Sequence, residues 1–303
     1  MNLQEKLQAG RFVITAEITP PVSAAREDLL AKALPLKDLA DAVNVTDGAG
    51  ARPHLGSLTA AALLVQNGIE PILQLTCRDR NRIALQSDLI SAAACGVRNL
   101  LVLRGDEPSA GDQPEAKPVF DVDTRVLLET ARRLRDDGEL PPARKVEGHA
   151  DFFLGVADNP IDPPPGWVPK GLNTKIVSGA QFVQTQFCMD AGVAARYMAR
   201  LGEHGIAGKL AILIGIAPLR SAKSARWMKE KLFGTIIPDA LIERMEKAAD
   251  PTAEGQRICL ELIEQLANVR GVSGIHIMAP NNDAAVPGVI KAAREKIFRL
   301  AKI

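Results

Sequence analysis

Aromatic residues are scarce in this 303-residue chain, at 4% of the sequence. Trp167, Trp227 and Tyr197 are its only tryptophans and tyrosine. Proteins that bind single-stranded nucleic acid without sequence preference stack bases on aromatic rings, so this scarcity argues against that class. An excess of one charge is also absent, because 37 basic residues stand against 36 acidic ones and the net charge is +1. Neither nucleic acid nor an anionic lipid surface is therefore expected as the main partner.

Long apolar runs are missing as well. The longest, Leu210–Leu219, is interrupted by glycine and proline, whereas a membrane helix needs about 20 apolar residues. The N-terminal stretch MNLQEKLQAGRF lacks the apolar segment of a signal peptide. The cysteines are scattered without a CxxC pair, so we expect packing residues in a protein of the reducing cytoplasm. They are Cys77, Cys95, Cys188 and Cys259.

Several catalytic signatures are absent too. There is no HExxH, zinc-type Cys and His spacing, GxSxG or Walker A motif, so neither a metal site nor a serine nucleophile is expected. The segment Asp47–Pro53 (DGAGARP) has proline where a dinucleotide fingerprint needs its third glycine. Of the dispersed histidines, His204 lies near a predicted helix end, and His276 lies in a predicted strand as part of the core.

A short β-type run followed by a helical stretch recurs along the chain. The runs are rich in Val, Ile and Leu, as is typical of parallel strands buried on both faces. Eight strands alternating with helices predict a single (β/α)8 TIM barrel over residues 1–303, with a doubly wound open sheet as the alternative. The predicted strands are Phe12–Ile18, Asp41–Thr46, Glu70–Thr76, Asn99–Leu103, Asp151–Val156, Gln181–Thr185, Lys209–Ile214 and Gly274–Met278.

Apolar residues at three- and four-residue spacings predict the helices between these strands. Two further helices fit between Pro238 and Val269. Two long connections, Arg104–Phe120 and Ala157–Lys170, follow strands and are expected to be functional loops at the C-terminal face of the barrel. The predicted helices are Asp28–Leu39, Leu58–Gln66, Asn81–Ala94, Val122–Asp136, Ala191–Glu203, Ser221–Lys231 and Pro287–Leu300.

Polar residues at the predicted strand ends are the candidates for an active site, since barrel enzymes build their sites there. Glu17 lies in an apolar strand, where a carboxyl group can act as a general acid or form a structural ion pair with an arginine. Asp106 in LRGDEP can tune a cofactor's electronics or cap a turn. Gln186 offers both a donor and an acceptor to the edge of a heterocycle, or simply ends a strand.

A basic run, Arg78–Arg82, opens a predicted helix. Arginines at a helix N-terminus can hold phosphate, since the free amides there favour anions. We favour a solvated first turn of the helix over such a phosphate site.

The order of five motifs resembles the methylenetetrahydrofolate reductase family. The motifs are AEITPP (Ala16–Pro21), VTDGAG (Val45–Gly50), LQLTCRDRN (Leu73–Asn81), LRGDEP (Leu103–Pro108) and KxxxGAxFxxTQ (Lys175–Gln186). GIAPL (Gly215–Leu219), Ile237–Pro238 and GVSGIHIMAPN (Gly271–Asn281) continue the resemblance, which covers roughly residues 10 to 300. Each motif alone is weak, whereas their order and spacing together are specific.

The resemblance implies a (β/α)8 barrel of the bacterial catalytic type, with non-covalent FAD and no metal. NADH or NADPH then reduces the flavin, which passes the hydride to 5,10-methylenetetrahydrofolate by ping-pong kinetics. The product, 5-methyltetrahydrofolate, supplies methionine biosynthesis. The methylene bridge must first open to an iminium ion, which requires a proton on the leaving nitrogen.

The resemblance also implies the site residues. Glu17 matches the general acid, Asp106 the catalytic aspartate near the flavin and the folate, and Gln186 the glutamine that binds the pterin. The positions that match flavin contacts are Thr46, Gln74, Arg104, Gly105, Asp106 and Lys175. The choice between NADH and NADPH stays open, as does a homo-oligomer.

The sequence departs from the family pattern in three places that concern the flavin and the substrate. The segment after the fifth strand begins Ala157–Pro160 instead of carrying the Tyr and His of the family. Val168 stands at an acidic flavin contact, and Ala222 stands at the aromatic residue that covers substrate. Three alternatives therefore stay open. They are direct hydride transfer from nicotinamide without flavin, a non-catalytic folate-binding partner subunit, and an unrelated barrel lyase with a phosphate loop in GIAPLRSAKSA.

Overall fold

Eight parallel strands close into a barrel in the computed structural model, which describes residues 1–300. This arrangement confirms the predicted (β/α)8 TIM barrel and rules out the open sheet. Each strand begins within two residues of its predicted start. The strands are β1 Val13–Ile18, β2 Ala42–Val45, β3 Pro71–Thr76, β4 Asn99–Leu103, β5 Phe153–Asp158, β6 Phe182–Phe187, β7 Ala211–Ile216 and β8 Val272–Ile277.

Helices surround the barrel and pack on its apolar outer face. β1 pairs with both β2 and β8, which closes the ring. The helices are α1 Leu3–Gln8, α2 Arg26–Ala33, α3 Ser57–Gln66, α4 Arg82–Ala94, α5 Thr124–Asp137, α6 Lys170–Ser178, α7 Ala191–Glu203, α8 Ala222–Lys231, α9 Asp239–Lys247, α10 Pro251–Ala267 and α11 Val286–Leu300. None of the helices within residues 1–300 has the combination of length and hydropathy that a membrane span requires.

The barrel interior is apolar at its N-terminal end. Leu3 of α1 closes this end by packing against inward-facing strand residues. This apolar level consists of Val13, Ala42, Ile72, Leu101, Phe153, Phe182 and Leu213. Because side chains alternate between the two faces of a strand, the residues two positions after these form the next interior level towards the C-terminal end.

The structure corrects three predictions about local elements. The predicted helix Asp28–Leu39 is shorter, because α2 ends at Ala33 and a 3-10 turn containing proline follows at Leu34–Leu36. The connection after β5 contains α6, which we did not predict because its nine residues follow a proline-rich stretch. Cys95 is exposed after the end of α4, so it is not a packing residue, whereas the other three cysteines are buried.

Candidate active site

Glu17 lies inside the barrel near its C-terminal end. Its Oε2 accepts a hydrogen bond of 2.8 Å from the Gln74 amide and lies 3.6 Å from Nε2 of His276. The Glu17 side chain is 22% exposed, whereas His276 is buried. The carboxyl group is thus held by two neighbours while one side remains open to a ligand. Both holding residues come from other strands, β3 and β8.

A buried polar layer supports Glu17 from below. Gln184 and Asn44 exchange two hydrogen bonds through their side-chain amides, of 2.6 and 3.0 Å. Gln184 Nε2 also lies 3.2 Å from Thr15 Oγ1 and 3.3 Å from His276 Nδ1. Thr15 Oγ1 and His276 Nδ1 are themselves 3.0 Å apart. Buried polar groups are costly unless they are paired, and here each side chain has a partner.

His276, Gln184, Asn44 and Thr15 are absent from the sequence-based site. We assigned His276 to the core, which is correct for its burial but omits its contact with Glu17. The two-residue spacing from Thr15 to Glu17 is the signal for a shared interior face.

Thr46 follows β2 directly and lies two residues beyond Asn44, so it shares the interior face. It is 5% exposed, and its Oγ1 has no hydrogen-bond partner within the part of the chain that the structure describes. An unpaired buried hydroxyl costs about 1 to 3 kcal/mol. Such an atom at the mouth of a barrel is suited to bind a ligand.

Arg104, Gly105 and Asp106 leave β4 at the same end of the barrel. Gly105 has φ +90°, and a Cβ there would lie 3.0 to 3.1 Å from side-chain atoms of Arg78 and Thr76. Only glycine fits this turn comfortably. Arg104 lies over the ring of Phe120 at 4.1 Å.

The charged residues on either side of Gly105, Arg104 and Asp106, are both exposed. Arg104 donates a hydrogen bond of 2.6 Å to Glu107. Asp106 is an exposed carboxylate at the strand end. The turn therefore presents backbone and one acidic group to the face of the barrel where the site lies.

Lys175 of α6 contacts the last two residues of β5. Its Nζ donates a hydrogen bond of 2.6 Å to the carbonyl of Ala157 and lies 3.6 Å from Asp158 Oδ1. The hydroxyl of Tyr197 donates to the other oxygen of Asp158. Burial and the nearby Asp158 charge raise the pKa of Tyr197 above its ordinary value, so the hydroxyl keeps its proton. Trp167 packs 6.0 Å from the Tyr197 ring and fixes the proline-rich segment against α7.

The basic run at the start of α4 is not a solvated turn, which corrects our preferred interpretation. Arg78 is 3% exposed and donates to Asp79 and to the carbonyl of Gly48, the latter at 3.2 Å. Its hydrogen bond with Asp79 is the main cause of the raised pKa of Arg78. Arg80 pairs with Asp47 and Asp88. These arginines are already paired, so they brace the loops after β2 and β4.

Gln186 is half-buried at the end of β6. Its Oε1 accepts a hydrogen bond of 3.0 Å from the backbone N–H of Phe187. Its Nε2 donates over 3.3 Å to the carbonyl of Phe233, which lies in the turn after α8. An amide has two N–H groups and two oxygen lone pairs, so one of each remains for a ligand.

The structure thus brings Glu17, Gln74 and Thr46 to the interior mouth, where Gln186 also ends its strand. Asp106 and Arg104 lie on the exposed turn after β4, and Lys175 lies beyond β5. Among residues 1–300, no group of three or more His, Cys, Asp or Glu side chains is arranged to hold a metal ion. The arrangement offers a ligand at the mouth the open side of the Glu17 carboxyl group and the free donor and acceptor of the Gln186 amide.

Comparisons with known proteins identify similar sequences and a similar fold. The family model described as methylenetetrahydrofolate reductase matches residues 2–294. The 5,10-methylenetetrahydrofolate reductase of Escherichia coli is 26% identical over 281 residues, which cover 90% of this chain and 87% of that protein. Methylenetetrahydrofolate reductase 2 of Schizosaccharomyces pombe is 26% identical over 254 residues, which cover 80% of this chain.

The relatives differ in length. The matched part of this chain spans between 34% and 40% of three relatives from Caenorhabditis elegans and Schizosaccharomyces pombe. Among solved structures, a Clostridium thermocellum protein whose description states that it binds two copies of 5-methyl-5,6,7,8-tetrahydrofolic acid has a TM-score of 0.61. It is 17% identical, and the match covers 98% of this chain and 99% of that one, so this similarity concerns the fold.

Proposed function

This chain belongs to the methylenetetrahydrofolate reductase family, and we propose that it reduces 5,10-methylenetetrahydrofolate to 5-methyltetrahydrofolate with NADH or NADPH. The substrates are a tetrahydrofolate derivative and a reduced nicotinamide. The product would serve methionine biosynthesis in the cytoplasm. The observation that carries the proposal is Glu17, a partly exposed carboxyl group held by Gln74 and His276 at the mouth of the barrel.

In this proposal Glu17 is the general acid. Opening the methylene bridge leaves an electron pair on a folate nitrogen, and a proton from the Glu17 carboxyl group neutralises it. The hydrogen bond from Gln74 and the adjacent His276 restrict the carboxyl group to one position, so it meets the nitrogen without a search among rotamers. The iminium ion that results is the hydride acceptor.

Two further residues act on the same substrate. The free N–H and lone pair of Gln186 would bind the pterin edge. Asp106, an exposed carboxylate after β4, would stabilise the positive charge of the iminium ion electrostatically. We therefore assign Glu17 and Asp106 as catalytic and Gln186 as substrate-binding.

The residues at the mouth fit the ring of FAD. Thr46 offers an unpaired buried hydroxyl, and Gly105, which is half-buried, has no side chain to stand between its backbone and a ligand. Gln74 and Asp106 would contact the ring from β3 and from the turn after β4, while Arg104 and Lys175 would hold the phosphates. The chemistry that bound FAD supplies is the relay of a hydride from the reduced nicotinamide to the folate.

A second candidate is direct hydride transfer from the nicotinamide to the folate. It is favoured by the contacts of Arg104 and Lys175, the two cations that would hold the FAD phosphates. Each of them has a partner within the chain. Arg104 is bonded to Glu107 and lies over Phe120, and Lys175 is bonded to Ala157. The roles of Glu17, Asp106 and Gln186 are the same in this reaction.

The first experiment is the visible spectrum of the purified full chain, before and after NADH without oxygen. Flavin bands that bleach support FAD, and a colourless protein that turns over folate supports direct transfer. NADH or NADPH oxidation with methylenetetrahydrofolate is then measured for the unaltered chain and for Glu17→Gln. We expect the variant to lose folate reduction but to retain any flavin reduction. Folate binding without turnover by the unaltered chain would contradict the reductase and indicate a non-catalytic subunit.

A further inference from the structure

The turn after α8 presents an aromatic ring to solvent beside the site. Phe233 is 86% exposed, more than any other large hydrophobic side chain that the structure describes. Burying a phenylalanine side chain is worth about 1.5 to 3 kcal/mol relative to leaving it exposed. A single exposed apolar residue needs no explanation, but this one lies next to Gln186.

The exposure of Phe233 follows from the backbone of its turn. The N–H of Ile236 donates a hydrogen bond of 2.9 Å to the carbonyl of Phe187. The carbonyl of Ile236 accepts one of 2.8 Å from the N–H of Met189. The turn is thereby paired with the chain that continues from β6. Gly234 lies against Asn159, where a Cβ would come within 2.7 Å of the asparagine side chain. The position of Phe233 is therefore determined by these contacts rather than by a loose loop.

Gln186 connects this turn to the pterin position. Its amide Nε2 donates to the carbonyl oxygen of Phe233, and its second N–H and one oxygen lone pair are free. A heterocycle that binds the remaining donor and acceptor of the Gln186 amide would therefore lie beside Phe233, whose carbonyl accepts the other N–H of that amide.

A second, independent observation comes from Thr235. Its Oγ1 is buried and has no hydrogen-bond partner among the residues that the structure describes. An unsatisfied hydroxyl costs free energy that a ligand's polar group would recover. The turn thus combines an exposed ring and an unpaired hydroxyl two residues apart, next to an amide with free capacity.

We propose that Phe233 stacks on the pterin ring of the folate and that Gln186 and Thr235 bind polar groups of the same ring. This inference rests on the proposed function and adds the residues that recognise the substrate's ring. A pterin fits better than a nicotinamide, because its two fused rings offer more face to Phe233 and its edge alternates donors and acceptors.

The test is calorimetric titration of the full chain with 5-methyltetrahydrofolate. Stacking of a heterocycle on an aromatic side chain is substantial, so Phe233→Ala is expected to weaken binding about ten-fold, whereas Phe233→Trp retains it. Thr235→Val, which keeps the shape, is expected to weaken binding about three-fold. Val177→Ala is the matched control, since Val177 is likewise a highly exposed apolar residue, at 74%, and lies near the end of α6.

The outcomes separate this inference from the proposed function. Equal folate affinity in the unaltered chain and in Phe233→Ala would overturn the stacking alone. Weaker NADH binding with unchanged folate binding would assign the ring to the nicotinamide and overturn the pterin proposal. No folate binding by the unaltered chain would overturn both. Because the Phe233 side chain is mostly exposed, its replacement is not expected to impair folding, which the melting temperature checks.

Discussion

The side-chain amides of Asn44 and Gln184 bind each other twice inside the barrel, with N···O distances of 2.6 and 3.0 Å. The two residues are 140 positions apart in the chain and both are buried. Gln184 Nε2 also lies 3.3 Å from Nδ1 of His276, whose other ring nitrogen faces Glu17. The amide pair thus connects the middle of the barrel to the proposed general acid.

Breaking this pair should destabilise the protein. Asn44→Ala and Gln184→Ala each leave a buried amide without its main partner, which costs about 1 to 3 kcal/mol. The double variant should be less destabilised than the sum, by about 1 kcal/mol or more, because the second change removes the group that the first left unpaired. Urea unfolding of the four proteins measures the coupling. Additive losses would mean that the pair contributes no mutual stabilisation.

His276 should matter for folate chemistry more than for the nicotinamide step. His276→Asn removes the ring beside the Glu17 carboxyl group, and a displaced acid loses on the order of 10- to 100-fold in rate. Stopped-flow measurement of the two half-reactions, or of direct turnover if no flavin is bound, gives the comparison. An equal loss in both steps would indicate a structural role for His276.

Thr46→Val should separate stability from binding. The change removes a buried hydroxyl that has no partner in the described structure, so the ligand-free protein should be more stable by up to about 1 kcal/mol. Binding of the ligand that uses this hydroxyl, FAD in our proposal, should weaken. Thermal unfolding and FAD titration are the two measurements. A less stable variant would show that the hydroxyl is already satisfied in the free protein.

The four cysteines should differ sharply in reactivity. Burial raises the pKa of Cys77 and Cys188 to about 11 and that of Cys259 to about 12, so these thiols stay protonated at pH 8. The thiolate is the reactive form, and Cys95 alone is exposed. Ellman's reagent at pH 8 should detect one fast thiol in the native protein and four after denaturation. Two or more fast thiols in the native state would contradict this burial.

Two glycines inside helices should respond oppositely to alanine. A Cβ on Gly255 of α10 would overlap the backbone carbonyl of Leu219, in the segment after β7. Gly255→Ala should therefore lower the melting temperature despite alanine's better helix propensity. Gly202→Ala in α7 is the matched control, since a Cβ there meets nothing within 4 Å and should stabilise by up to about 1 kcal/mol. Equal effects of the two changes would contradict the close packing of α10.

The strands could be predicted from the sequence, whereas α6 could not. Val- and Ile-rich runs identify buried strands at any position, and the ordered motifs identify Glu17 and Gln186 as candidates. The nine residues of α6 follow a proline-rich segment and carry only Leu172 and Ser178 as buried positions, so no apolar stripe indicates a helix. Pro35 similarly stands within the predicted second helix, which ends before it.

The partners of each side chain were decided by the tertiary structure. Two-residue alternation assigns Thr15 and Glu17 to one face of β1 and His276 to one face of β8. Only closure of the barrel brings the Glu17 and His276 side chains within 3.6 Å of each other. Arg78 looks like a surface residue in a charged run, yet the loops after β2 and β4 bury it.

The barrel and the family can thus be inferred from the order of the amino acids alone, because local periodicity and motif order need no knowledge of distant contacts. The contacts that hold Glu17, and the position of Phe233 beside Gln186, are visible only in the folded chain. These contacts depend on the stagger of strands and the path of loops that are far apart in the chain, and local propensity carries no information about either.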